Sequence, residues 1–156
     1  MSIKQVHFDF LIKSSFLVVT LFLYPSVSVS DGLNISCGAS KGYSYFFEGG
    51  LVGKDKEGFI DDGISNGKIS LTVDEDGNPD VLTLDSTGSL KSATSQGGKV
   101  FMPTTSDNGA NWVIQYGDGT LEVYSYSITS KKVAIYRNTI GSLFPKNSLF
   151  ISDCSH

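Results

Sequence analysis

The segment WVIQYGDGTLEVYSYSITSKKVAIYR, residues 112–137, decides the fold class of this chain. Apolar and polar side chains alternate along residues 112–116, 121–128 and 132–137, which is the period-two pattern of half-buried β-strands. Short polar sequences typical of tight turns, residues 117–119 and 129–131, separate the three stretches. The segment therefore predicts three antiparallel strands joined by two hairpin turns.

The same alternation continues on the N-terminal and C-terminal sides of this segment. Lys68–Val73 places Ile69, Leu71 and Val73 on one face of a strand. Further strands are predicted at residues 43–47, 81–85, 100–102 and 148–152, whereas residues 49–67 are predicted to form a long surface loop with one short strand. Strands spaced by about ten residues and joined by short turns predict a small all-β domain, an antiparallel meander arranged as a barrel or a sandwich.

The first thirty residues have the composition of a secretory signal peptide. Lys4 and Lys13 precede an apolar run at residues 16–24, and Pro25 and a small-residue tract follow it. A membrane anchor is the alternative, but the run falls short of the roughly 20 apolar residues that a spanning helix needs. We therefore expect a cleaved signal peptide helix at residues 1–30 and one domain at residues 31–156, exported to the periplasm or the extracellular space.

Two cysteines, Cys37 and Cys154, lie near the two ends of the predicted domain. An isolated pair of cysteines in an exported chain predicts a disulfide, with a metal pair or free thiols as the alternatives. A disulfide requires Cα atoms within about 7 Å of each other, so it would bring the first and last strands together.

The charge of the domain argues against two classes of partner. Removal of residues 1–30 takes Lys4, Lys13 and Asp9 from the 12 basic and 16 acidic residues, which leaves 10 and 15. The basic residues are scattered, so they form no stripe that would neutralise phosphates of a nucleic acid. They also form no basic amphipathic stretch for a membrane surface, and stable membrane insertion after cleavage is not expected.

Histidine is scarce in the predicted domain, which limits the chemistry that it can perform. His7 lies in the signal peptide, and His156 is the last residue of the chain. A histidine general base, a Ser-His-Asp triad and a histidine-rich metal site are therefore not expected. Paired carboxylates remain as possible acid-base groups of a hydrolase, and the candidates are Glu48, Asp61, Asp62, Asp85 and Glu122.

An acidic segment that follows Lys68–Val73 offers oxygen ligands at alternate positions, as calcium-binding loops do. The four candidate ligands are Asp74, Asp76, Asn78 and Asp80. Asp85 falls where the twelfth-position acid of such a loop would lie, but Pro79 stands where an EF-hand has glycine. The alternative is an acidic hairpin turn that discourages association of sheet edges. Calcium is the one cofactor that the sequence suggests.

Aromatic residues are frequent in the predicted strands: Tyr43, Tyr45, Phe46, Phe47, Trp112, Tyr116, Tyr124, Tyr126 and Tyr136. On an exposed face such rings can stack on sugars or anchor a protein partner. We favour the alternative that most of them pack in the core and against rings on neighbouring strands.

Four stretches carry a resemblance to a known group of proteins: residues 37–43 (CGASKGY), 62–68 (DGISNGK), 85–88 (DSTG) and 146–150 (KNSLF). With these stretches the chain resembles small exported bacterial proteins that have no assigned activity, and the resemblance implies an envelope or secreted location. Our leading hypothesis is a non-enzymatic β-domain that binds a protein, a glycan or a small ligand. The alternatives are a carboxylate-based hydrolase and a calcium-stabilised structural or inhibitor module.

Overall fold

The computed structural model describes residues 32–85 and 87–155, and the signal peptide predicted for residues 1–30 lies outside them. Strands account for most of the described residues. In chain order they are β1 (Leu33–Phe46), β2 (Gly58–Ile64), β3 (Lys68–Val73), β4 (Pro79–Leu84), β5 (Leu90–Ser92), β6 (Lys99–Ser106), β7 (Gly109–Gln115), β8 (Leu121–Ser127), β9 (Lys132–Asn138) and β10 (Lys146–Ser155). One 3₁₀ turn, Lys54–Lys56, precedes β2.

The strands form a single antiparallel sheet in the order β5-β4-β3-β1-β10-β9-β8-β7-β6, with β2 added beside β1. β1 is central because it is long enough to pair with three strands. β10 lies along one edge of β1, and β3 followed by β2 lies along the other edge. The sheet curls into a half-barrel, which confirms the predicted all-β antiparallel fold.

A β-bulge in β1 contributes to the curvature of the sheet. Cys37 pairs with Cys154 and Ser40 pairs with Ser152, so β1 has one more residue than β10 between these two pairs. On the other edge of β1, the last pair with β2 is at Ser40 and the first pair with β3 is at Cys37. Residues 65–68 therefore lie beside the bulge. Bulges bend a strand and increase its twist, and here the bend lies at the centre of the sheet.

The hydrophobic core fills the concave face of the sheet. Trp112 on β7 is fully buried and lies opposite Tyr124 on β8. Its indole Nε1 donates a hydrogen bond of 3.1 Å to the carbonyl oxygen of Thr72, which joins β7 to β3 across the interior. The other buried core residues are Ile35, Cys37, Ile69, Leu71, Val81, Ala93, Ile114, Tyr126, Val133, Ile135 and Phe150. Each large apolar side chain buried in this way stabilises the fold by about 1.5–3 kcal/mol.

The predicted disulfide between Cys37 and Cys154 is present. The two residues lie directly opposite each other on β1 and β10, with their Cα atoms 3.9 Å apart. Cys37 is 1% exposed and belongs to the core. The bond therefore joins the first and last strands of the domain beside the bulge.

The structure confirms some strand predictions and extends others. β3 occupies the predicted residues Lys68–Val73, and β7, β8 and β9 lie within a few residues of their predicted positions. β1, however, begins at Leu33, well before the strand predicted at residues 43–47. Its first half is rich in small residues, and Ile35 is its one β-branched or aromatic side chain of the kind that marks a strand. The sequence also gives no indication of β5, which has only three residues.

Candidate functional site

A row of polar side chains crosses the concave face beyond the apolar core. Glu122 of β8 lies opposite Arg137 of β9. Arg137 in turn lies opposite Ser148 of β10, which lies opposite Ser44 of β1. Side chains alternate between the two faces of a strand, and Tyr124, two residues after Glu122, belongs to the core. The row therefore faces the interior of the half-barrel. The interior is apolar around Tyr124 and polar along the row that contains Glu122.

Glu122 is the buried carboxylate of this row. The residue is 6% exposed. Its Oε1 lies 2.9 Å from Nε of Arg137, and its Oε2 accepts a hydrogen bond of 2.8 Å from the Tyr124 hydroxyl. Burial and the adjacent carboxylate raise the pKa of Tyr124 well above its ordinary value, so its hydroxyl remains a donor at neutral pH. Both oxygens of Glu122 are thus engaged by protein groups.

The same residues form part of the wall of a cavity of about 640 Å³. The cavity lies between the β2–β3 connection, the β4–β5 turn and the β7–β8 turn. Its inner side is lined by the core residues Tyr124, Ile135 and Phe150, and its charged lining residues are Lys68, Asp85, Lys91, Asp118, Glu122 and Arg137. Small-molecule sites typically occupy about 300–1,000 Å³ and combine apolar walls with a few polar groups. The volume of this cavity lies in that range, although its wall carries more polar groups than is usual for such sites.

Tyr116 adds a hydroxyl group to the cavity wall. Burial, together with the negative charge of Glu122, raises the pKa of Tyr116 to about 12. The phenol is therefore protonated at neutral pH and can donate a hydrogen bond into the cavity.

Two further carboxylates of the cavity wall belong to turns. The Thr87 hydroxyl and the Ser89 N–H donate hydrogen bonds to Asp85 and lower its pKa to about 2. The Thr120 N–H lies 2.9 Å from Oδ1 of Asp118 and lowers the pKa of that carboxyl too. Both groups are ionised at neutral pH, so neither can supply the proton that a glycosidase general acid must donate.

A second polar cluster lies beside the row, at β1, β2 and β10. The Ser44 hydroxyl lies 2.6 Å from Oδ2 of Asp62 and 2.6 Å from the Ser148 hydroxyl, and Nζ of Lys146 lies 2.8 Å from the same Asp62 oxygen. Burial opposes ionisation of Asp62, but the bonds from Lys146 and Ser44 outweigh it and lower the pKa. Ser44 is 0% exposed, so its hydroxyl cannot reach a substrate. The cluster connects three strands.

The remaining candidate carboxylates are separated from the cavity. Asp61 pairs with Tyr43 and is exposed on the convex side of the sheet. Glu48 is exposed in the loop that follows β1. Of the five carboxylates considered for hydrolysis, the cavity wall brings together Glu122 and Asp85.

The four predicted calcium ligands belong to two different structural units. Oδ1 of Asp74 accepts hydrogen bonds from the N–H groups of Asp76 and Asn78, at 3.0 and 2.7 Å, so Asp74 caps the turn between β3 and β4. Asp80 instead accepts a hydrogen bond from the Ser92 hydroxyl on β5. Among residues 32–85 and 87–155, no group of three or more His, Cys, Asp or Glu side chains is arranged to hold a metal ion. Calcium binding here stays a prediction.

The aromatic side chains are divided between the core and the outer surface. Trp112 and Tyr124 form a buried cross-strand pair. Tyr43 and Phe59, in contrast, are 61% and 76% exposed. The Phe59 ring lies edge-on to Tyr45, with ring centroids 4.9 Å apart. The predicted core packing therefore holds for Trp112 and Tyr124, and the predicted packing against rings on neighbouring strands holds for Tyr45, whereas Tyr43 lies at the surface.

Sequence reasoning did not select Arg137, Lys68 or Lys91 as site residues. For Arg137 a signal was present, because a hairpin that turns at residues 128–131 places Glu122 directly opposite Arg137. Their shared face follows from the alternation of Val133, Ile135 and Arg137. For the two lysines there was no such signal, because their place in the cavity depends on the curvature of the sheet.

Comparison of the chain with protein-family models, with curated proteins and with solved structures gives no match. Within the described residues, no helix is long and apolar enough to cross a membrane.

Proposed function

We propose that this protein is an exported, non-enzymatic binding module, and that the cavity beside Glu122 and Arg137 receives a small molecule. The volume of about 640 Å³ suits such a ligand. The wall offers an apolar surface at Phe150 and Ile135 together with hydrogen-bonding groups, so one side of the cavity can bury a ligand and the other can orient it.

The observation that carries this proposal is the ion pair of Glu122 and Arg137 on the cavity wall. Removing a charge from water costs several kcal/mol, and well-packed apolar residues often stabilise a fold as well as a buried ion pair does. Glu122 is buried, whereas the Arg137 side chain is 49% exposed. Arg137 therefore has one part fixed by Glu122 and another part available to a ligand, which supports a role in recognition.

A hydrolytic function has less support from the same residues. Asp85 and Asp118 are ionised at neutral pH because their pKa values are lowered. Glu122 already accepts contacts from Arg137 and Tyr124. A proton donor and a free carboxylate base are both required for carboxylate-based glycoside hydrolysis, and binding without catalysis demands neither.

Export is the second part of the proposal. The disulfide between Cys37 and Cys154 is compatible with an oxidising compartment. N-terminal sequencing of the protein recovered from outside the cytoplasm tests it, and we expect a first residue between Val29 and Asp31. Retention of Met1 on most molecules would overturn the cleavage.

Binding in the cavity is tested by screening small molecules for an increase in Tm, since a ligand that binds the folded state stabilises it by mass action. Thr83 lines the cavity, so Thr83→Trp should fill it with the indole ring. Thr104 is exposed on β6, and Thr104→Trp is the matched control. We expect compounds that stabilise the wild type and Thr104→Trp but not Thr83→Trp.

Equal stabilisation of both tryptophan variants would place binding outside the cavity and contradict the proposal. Failure of every compound to stabilise the wild type would contradict it as well. If Thr83→Trp does not fold, amide chemical-shift mapping on the wild type identifies the bound region instead, and changes centred on Tyr124 and Arg137 are expected.

A further inference from the structure

The carboxylates of the cavity wall form hydrogen bonds and ion pairs with other groups of the protein. Glu122 contacts Arg137 and Tyr124 through its two oxygens. Asp85 accepts bonds from its own turn, and Nζ of Lys91 lies 3.3 Å from its second oxygen. Asp118 accepts the Thr120 N–H through one oxygen. The Thr120 side chain also contacts the Asp118 carboxylate, so all three carboxylates have donors from the protein.

The hydrogen-bond donors of the wall are, in contrast, largely unused. Arg137 contacts Glu122 through Nε, and in the part of the chain that the structure describes its terminal amino groups have no hydrogen-bonded partner. No ion pair involves Lys68 within residues 32–85 and 87–155, and Lys91 makes one ion pair, with Asp85 at 3.3 Å. The Tyr116 hydroxyl is a further donor. Among the charged groups of the wall, the cations keep more unused donors than the carboxylates keep unused oxygens, which complements an anionic ligand group.

On this basis, and resting on the proposed binding function, we infer that the ligand is a small organic acid whose anionic group, a carboxylate or a phosphate monoester, binds Arg137 together with Lys68 or Lys91. The two terminal amino groups of a guanidinium form a planar fork that matches two oxygens of such a group. Because Glu122 takes only Nε, it fixes the plane of the guanidinium and leaves this fork available.

The rest of the ligand is expected to be apolar and compact. Phe150 and Ile135 line the inner side of the cavity, and burial of an apolar body against them is favourable in proportion to the area removed from water. An acid with a ring or a short alkyl chain therefore fits both parts of the wall. Inorganic phosphate alone would use the donors but would leave the apolar surface exposed.

The inference is tested with fragment sets that share a phenyl, cyclohexyl or hexyl body and differ only in the head group: carboxylate, phosphate monoester, hydroxyl or ammonium. Inorganic phosphate is included. Binding is measured by ¹⁵N chemical-shift titration of the folded, oxidised protein, with the Arg137 side-chain Nε–H as a local probe. We expect carboxylate or phosphate members to bind at least about tenfold more tightly than the hydroxyl member of the same set, as charge-assisted bonds imply.

Four variants locate the anion. Arg137→Lys retains the charge and loses the fork, and it should weaken anion binding. Lys68→Gln and Lys91→Gln each remove a cavity cation, and at least one of the two should weaken it as well. Lys99→Gln is the matched control, because Lys99 is exposed on β6, and it should leave affinity unchanged. Equal or tighter binding of the hydroxyl or ammonium members at the cavity would overturn the anion inference and retain the binding function. Absence of binding by every fragment at millimolar concentration would count against both.

Discussion

Glu122 and Arg137 face each other across β8 and β9 with 2.9 Å between Oε1 and Nε, although one side chain is buried and the other is half exposed. The pair joins the core of the half-barrel to its cavity. Tyr124 extends the contact inward through its hydroxyl, so a change at Arg137 affects both the fold and the site.

Replacement of Arg137 by methionine should destabilise the protein, because it leaves the buried Glu122 carboxylate without its cation. Breaking a buried pair costs about 3–5 kcal/mol. Since Arg137 is half exposed and partly screened by water, we expect a smaller loss, about 1–3 kcal/mol, measured by urea denaturation. The double variant Glu122→Gln/Arg137→Met should recover part of it. A single variant as stable as the wild type would show that the pair contributes nothing to folding.

Alkaline pH should destabilise the fold through Tyr116. Its pKa is raised from 10.0 to about 12 in the folded protein, so the unfolded chain loses the phenolic proton first as the pH rises. The stabilising contribution is complete below pH 10 and is lost between pH 10 and 12. Ultraviolet titration should show a tyrosine with a pKa near 12, and Tyr116→Phe should remove it. A Tyr116 that titrates near its ordinary value would contradict this expectation.

Calcium should leave the Tm unchanged. The Asp74 carboxylate is held by the turn that it caps, and Asp80 is turned toward Ser92. Calcium needs about six to eight oxygen ligands around one point, so the acidic segment would have to rearrange to bind it. Thermal denaturation at millimolar calcium and in the presence of a chelator provides the measurement. A Tm that rises with calcium, and that no longer does so in Asp76→Ala, would establish the site.

Removal of the disulfide should lower the stability substantially. Cys37 and Cys154 are separated by 117 residues, and closing a loop of about 100 residues is assigned about 4.7 kcal/mol, although measured effects of removing a native disulfide are more often about 2–5 kcal/mol. The Cys37→Ala/Cys154→Ala variant avoids free thiols and should unfold at a lower urea concentration. A reductant should lower the urea concentration at which the wild type unfolds and leave that of the variant unchanged. Two free thiols in unreduced protein recovered from outside the cytoplasm, detected by mass spectrometry, would contradict the bond.

The sequence predicts those parts of the fold in which large apolar side chains alternate with polar ones. Lys68–Val73 is the clearest case, because Ile69 and Leu71 are both buried in the core. The first half of β1 was missed because its inward positions include the small residues Cys37 and Ser40. Small side chains are compatible with a strand that is hydrogen-bonded on both edges, but they have low β-propensity and so do not indicate a strand in the sequence.

The candidate site was only partly predictable for a different reason. The alternation along β9 continues from Ile135 to Arg137, and a charged residue at that point can either end the buried face or line a cavity. Which of the two occurs depends on how far the sheet curls, and the bulge after Cys37, which is distant in sequence, contributes to that curl. Glu122 was considered because paired carboxylates remain as acid-base candidates when histidine is scarce. Arg137 was not, although the hairpin turn at residues 128–131 places it opposite Glu122.

The pairing of β1 with β10 also governs when the domain can fold. A chain that is synthesised or exported with its N-terminus first presents β1 at the beginning, but the strand that covers one edge of β1 arrives only with residues 146–155. Contacts between sequence-distant strands slow folding, because loop closure must precede them. In the export that we propose, the two cysteines can therefore form their bond only after residues 146–155 have followed β1 into the oxidising compartment.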